Sequence, residues 1–117
     1  MSVEKLQNAY YVTGDMERAV GFYRDALGLD LVFQDGAKWT QFKAGGVNFA
    51  VASEEEAPDS AVGATVVFEV DDIVVMSASI VSAGGELLGE RDMGDHGKTL
   101  TFRDPDGNLV QLYQRTS

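Results

Sequence analysis

The residues able to do chemistry in this chain are few, and each admits a plain structural use. His96 is the single histidine, set in Gly94-Asp95-His96-Gly97. A loop imidazole between glycines suits a pH-tuned base, a ligand contact or a solvent-facing residue. Nearby Glu90, Asp92 and Asp95 could with His96 bind an adventitious cation, for which their irregular spacing is a weak signal. Glu69 closes the apolar run Thr65-Val66-Val67-Phe68-Glu69-Val70. There it is a base if burial disfavours its charge, a partner for a ligand cation, or a solvated rim carboxylate. The chain has no cysteine, so thiolate metal sites, a thiol nucleophile and disulfides are all excluded.

Composition bounds the partners. With 117 residues and 44% hydrophobic content, one domain with its own core is expected. Nine basic residues against 19 acidic ones give a formal charge of −10, which opposes phosphate-backbone recognition, so no nucleic-acid partner is expected. The same charge favours a cationic ligand. The acidic run Glu54-Glu55-Glu56-Ala57-Pro58-Asp59 reads as a solvated linker. No stretch approaches the about 18 apolar residues of a membrane span, and Met1-Ser2-Val3-Glu4-Lys5 lacks the form of a secretion signal. The expectation is a cytoplasmic protein without a membrane partner.

The elements that must position these residues show period and punctuation. Phe102-Arg103 and Leu109-Val110-Gln111-Leu112 flank Asp104-Pro105-Asp106-Gly107-Asn108, in which proline presets φ and glycine supplies a positive one, so a β-hairpin is predicted. Leu100, Phe102, Val110 and Leu112 share one face, and Thr99, Thr101, Gln111 and Tyr113 the other. The chain also repeats. A strand through Tyr10-Tyr11-Val12 reaches the helix cap Asp15, and Met16, Ala19, Val20, Tyr23 and Leu27 follow at helical spacing up to Gly28. The run Thr65 to Val70 reaches Asp71-Asp72, and Ile73, Met76, Ile80 and Ala83 lead to Gly84. Asp15 to Asp71 and Gly28 to Gly84 are both offsets of 56. Further strands are predicted at Leu29 to Phe33, Trp39 to Lys43 and Val47 to Ala52, then at Glu86 to Leu88, Lys98 to Arg103 and Asn108 to Gln114. The expected class is α+β, with βαβββ occurring twice: module 1 over about 4–53, a linker over about 54–62 and module 2 over about 63–115.

Asp15-Met16-Glu17-Arg18-Ala19-Val20-Gly21-Phe22-Tyr23, Leu27-Gly28-Leu29 and the Phe102 to Leu112 hairpin together resemble the vicinal oxygen chelate superfamily of glyoxalase, bleomycin-resistance and ring-cleaving dioxygenase proteins. The resemblance covers nearly the whole chain. It implies two modules curled into a ligand-holding cup, commonly in a homodimer, and in the enzymes a divalent metal held by His, Glu or Gln from four strands. Matched to that pattern, the four positions are Asn8, Ala50, Thr65 and Gln111. Only Gln111 is a plausible ligand, so no metal and no cofactor are expected. Strand parity with these positions predicts a lining of Asn8, Tyr10, Trp39, Gln41, Asn48, Ala50, Thr65, Val67, Glu69, Thr99, Thr101, Gln111 and Tyr113. Phe42, Phe49, Phe68 and Phe102 have the opposite parity and are assigned to the core with Phe22, Tyr23, Met76 and Ile80.

The function this implies is metal-independent binding of a small organic, and by charge cationic, ligand in the manner of bleomycin-resistance proteins. Two rivals stand beside it. One is a lyase, isomerase or dioxygenase using an atypical metal site or Glu69 as base, with His96 a second catalytic candidate; the other is a non-catalytic partner-binding module.

Overall fold

The computed structural model describes residues 6–57 and 65–116. The chain divides into two compact units, Met1–Ala61 and Val62–Ser117. Each is an α+β module of βαβββ order built on a four-stranded mixed sheet. In module 1 the strands are β1 (Ala9–Thr13), β2 (Asp30–Asp35), β3 (Trp39–Ala44) and β4 (Val47–Ser53) in the spatial order β1-β4-β3-β2. In module 2, β5 (Val66–Glu69), β6 (Glu86–Asp92), β7 (Lys98–Arg103) and β8 (Leu109–Gln114) lie in the order β5-β8-β7-β6. The first and last strands of each module are parallel neighbours; the other pairings are antiparallel.

The two helices begin alike and differ by one residue. Asp15 is extended and its carboxylate accepts from the Arg18 N–H at 3.1 Å, which starts α1 (Met16–Gly21). The corresponding cap of α2 (Ile73–Ser82) is Asp72, not Asp71: its carboxylate accepts from the Val74 and Val75 N–H groups at 2.9 and 3.3 Å. The caps are therefore 57 residues apart, while the left-handed glycines that follow the helices, Gly28 at φ 72° and Gly84 at φ 94°, are 56 apart. Module 1 absorbs its extra residue in a π-turn over Phe22–Ala26, where the Leu27 N–H returns to the Phe22 carbonyl at 3.2 Å. Counting from the observed caps, Asn8 and Thr65 each stand seven residues upstream and are structurally equivalent.

Each core lies between its helix and one face of its sheet. Met16, Ala19, Val20, Phe22 and Tyr23 meet Phe42, Phe49 and Val51, and the Tyr23 ring sits 5.0 Å from that of Phe49. Buried Thr40 satisfies its hydroxyl on the Met16 sulfur at 3.2 Å. In module 2, Ile73, Ile80, Leu100, Phe102, Val110 and Leu112 are buried. Met76 and Phe68, assigned to the core from spacing, are only half-buried. Met76 stands on the flank of α2, and Phe68 on the edge strand β5, which has a neighbour on one side alone. Gln114 ties helix to sheet by accepting the Ile73 N–H at 2.8 Å.

The predicted hairpin is β7–β8, and its turn is organised by a buried carboxylate. Asp104 accepts from the Asp106 and Asn108 N–H groups at 3.0 and 2.9 Å and from the Asn108 amide at 3.0 Å. Gly107 supplies the positive φ of 87°. The acidic run begins with a 3₁₀ turn over Glu54–Glu56, and the Glu56 carbonyl receives the Tyr10 hydroxyl at 3.3 Å. Pro58 and Asp59 lie outside the described residues.

Candidate functional site

The face of each sheet opposite its helix carries the polar positions, and the strand register groups them. In module 1, Tyr10, Ala50 and Gln41 are cross-strand neighbours, as are Trp39 and Ala52, and Lys43 and Asn48. The Tyr10 and Trp39 rings lie 5.1 Å apart at 52°, and the indole N–H donates to Gln41 Oε1 at 3.3 Å. Ala50 and Ala52 are fully buried although they share this face with Tyr10, Trp39 and Gln41. Asn48 donates to the Gln7 carbonyl at 3.2 Å, leaving its buried Oδ1 without a partner among the described residues. Asn8, half-buried, precedes β1.

In module 2 the corresponding face forms an open depression of about 420 Å³ lined by Leu88, Gly89, Glu90, Arg91, Met93, Thr99, Thr101 and Gln111. Gln111 donates its amide N–H to Thr101 Oγ1 at 3.1 Å across β7–β8, which fixes the amide and leaves Oε1 as an acceptor. Tyr113 donates its hydroxyl to the His96 carbonyl at 3.0 Å. That bond uses the backbone of His96; the residue itself is exposed in the 3₁₀ turn Gly94–His96 and does not line the depression. Glu69 is also apart from it. Its carboxylate pairs with Arg115 at 3.0 Å, its side chain 56% exposed, beside a separate groove with Asp71, Gln114 and Thr116. Val67 is 52% exposed, and Thr65 is exposed just ahead of β5.

Sequence parity missed the contributions of β2 and β6, because both strands contain a bulge. The pairing slips between Leu31 and Phe33 in module 1, and between Leu87 and Gly89 in module 2. Each slip moves the residues beyond it to the other face. Phe33 and Asp35 thereby stand opposite Gln41 and Trp39, and Gly89 and Arg91 opposite Thr101 and Thr99. β6 also runs to Asp92, four residues beyond its predicted end. The available signal was Gly89, an isolated glycine within a strand pattern.

Residues 5–112 match the family model of the Glyoxalase/Bleomycin resistance protein/Dioxygenase superfamily. The chain belongs to that superfamily. Solved structures agree at the level of fold. A glyoxalase-related enzyme from Fulvimarina pelagi aligns with TM-score 0.81 and 19% identity over 97% of this chain and 89% of that one. The lactoylglutathione lyase of Agrobacterium tumefaciens gives 0.74 and 20% over 97% and 96%. An E126Q mutant of the fosfomycin resistance protein FosX from Listeria monocytogenes, complexed with Mn(II) and 1S,2S-dihydroxypropylphosphonic acid, gives 0.79 and 17% over 98% and 93%. Comparison with curated proteins finds no match.

The four positions that the sequence resemblance matches to the superfamily's metal ligands carry donors that do not suit a divalent transition metal. Ala50 offers only a methyl group, buried on the face it shares with Tyr10 and Trp39. Thr65 offers a neutral hydroxyl, Asn8 an amide, and Gln111 an amide already fixed on Thr101. Among the described residues no three His, Asp or Glu side chains come together as a metal-holding group. An uncharged set that lacks both imidazole and carboxylate is a weak match for transition-metal divalent cations.

Proposed function

We propose that this protein is a metal-independent small-molecule-binding member of its superfamily, holding an organic ligand on the helix-free faces of its modules. The observation that supports it most is the module 2 depression, where a fixed amide and two hydroxyls stand around an open floor. A few placed polar groups within a concave, partly apolar lining are the usual make-up of a ligand site. The half-buried Tyr10–Trp39 pair of module 1 supplies flat aromatic surface of the kind that stacks on planar or cationic groups. The charge of −10 favours organic cations over anions near the surface. Cytoplasmic location and a homodimer complete the reading; no described helix is long and apolar enough to cross a membrane.

Glu69 as a general base has less support. It is exposed, paired with Arg115 and outside the lining of the depression.

Gly89 gives a direct test. It faces Thr101, its φ is not positive, and a Cβ built on it meets nothing within 4 Å, so a larger side chain enters the depression without strain. A fragment screen by two-dimensional NMR in the presence of EDTA is expected to find compounds that shift the Thr99, Thr101 and Gln111 amides. Gly89→Leu should abolish those shifts and leave the unfolding midpoint unchanged. Binding unaffected by Gly89→Leu would refute the assignment of the depression.

A further inference from the structure

The module 2 depression is lined by one positively charged side chain, Arg91, which has no ion-pair partner among the described residues. Of the five arginines in the chain, Arg24 pairs with Asp25 at 2.9 Å, Arg115 pairs with Glu69 at 3.0 Å, and Arg103 donates to the Gly107 carbonyl at 3.0 Å. Arg18 is engaged as well. The Arg91 side chain alone forms no hydrogen bond or ion pair among the described residues, in a chain with 19 acids to choose from. The β6 bulge sets Arg91 opposite Thr99, on the face that carries Thr101 and Gln111, and Arg91 lines the depression. Neighbouring Glu90 borders the same depression but stands opposite buried Leu100, on the alternate face of the strand. Between Arg91 and the bulge, Gly89 leaves the floor open.

We infer that the ligand held in this depression carries an oxyanion, a carboxylate or a phosphate-type group, received by the Arg91 guanidinium with the Thr99 and Thr101 hydroxyls beside it. The guanidinium presents a planar fork of donors that matches two oxygens of such a group. The Gln111 Oε1 acceptor then faces a donor elsewhere on the same molecule. The inference rests on the depression being a ligand site, and it gives this end of the ligand the sign opposite to the one the net charge suggests. The −10 of the whole chain is spread over its surface and screened beyond about 8 Å at physiological salt, whereas an unpaired guanidinium within the site acts at contact.

The test uses four probes of one size: phenyl phosphate, benzoate, benzyl alcohol and benzyltrimethylammonium, titrated into the full chain and followed by amide and arginine Nε–H shifts. Phenyl phosphate and benzoate should shift Arg91, Thr99, Thr101 and Gln111, with affinity that falls as salt rises. Arg91→Gln should weaken both by about tenfold or more, Arg91→Lys by less, and neither should change the response to benzyl alcohol. If benzyl alcohol or the quaternary ammonium shifts the depression as strongly as the anions, and Arg91→Gln changes nothing, the oxyanion is wrong while the binding site stands. If anions shift residues around Arg115 and Lys98 instead, the assignment to Arg91 is overturned. If no probe shifts the depression, the inference and the site fall together.

Discussion

Removing the Asp104 carboxylate should destabilise the chain more than any other single change in the β7–β8 turn. The residue is 4% exposed, and its carboxylate accepts from the Asp106 and Asn108 N–H groups and the Asn108 amide at 2.9 to 3.0 Å. Asp104→Ala leaves those donors unmatched. Bonds to a charged acceptor contribute about 1.5–3 kcal/mol each, but Asp106 and Asn108 are only half-buried and water recovers part of the loss. The expected cost is about 2–4 kcal/mol. For a chain of this size that lowers Tm by roughly 10 °C or more. Asp104→Asn keeps an oxygen for the two backbone donors, and rotation of the Asn108 amide restores the third bond, so its cost should be near 1 kcal/mol. Urea unfolding followed by circular dichroism and tryptophan fluorescence measures both, the change appearing in the midpoint at unchanged slope. Equal losses for the two variants, or a loss below about 0.5 kcal/mol for Asp104→Ala, would refute the account of the turn.

Three further changes test the neighbouring geometry. Gly97 has φ 93°, and a Cβ there would collide with the Gln114 carbonyl oxygen and sit 2.9 Å from the Tyr113 ring, so Gly97→Ala should cost at least about 2 kcal/mol in the same unfolding assay. Glu69→Gln breaks an ion pair whose side chains are 75% and 56% exposed; the loss should be below about 1 kcal/mol and disappear in 1 M salt. Asp25 is held below the usual carboxylate range by its hydrogen bond to Arg24, so its contribution is present at neutral pH and is lost as pH falls through that range. Because both side chains are exposed, Asp25→Asn should alter the acid limb of the stability profile only at low ionic strength.

What was legible in the sequence follows from which signals are local. Asp15 as cap, the glycines after each helix and the Asp104 to Asn108 turn are local chemistry, and each occupies its predicted place. The β7–β8 alternation is local too, which is why Thr101 and Gln111 were placed on one face and are found bonded. The errors arise where one residue is inserted. The π-turn hides in an offset of 57 against 56, and assigning the second cap to Asp71 concealed it. The bulges at Val32 and Leu88 reverse strand parity without any residue that announces it in β2, so Phe33 and Arg91 were absent from the predicted lining. The separation of His96 and Glu69 from the depression is tertiary: it depends on the Tyr113–His96 bond and the Arg115 pair, which no spacing reveals.

Metal content decides most directly whether this superfamily member works without a divalent cation. Untagged protein purified without chelators should contain substoichiometric Mn, Fe, Ni and Zn by plasma mass spectrometry. Titration with each ion should leave Tm unchanged, because a ligand that binds only the native state raises it by mass action. One metal ion per chain, a rise in Tm on titration, and loss of both in Gln111→Ala would contradict the account and make Gln111 a ligand in a metal site.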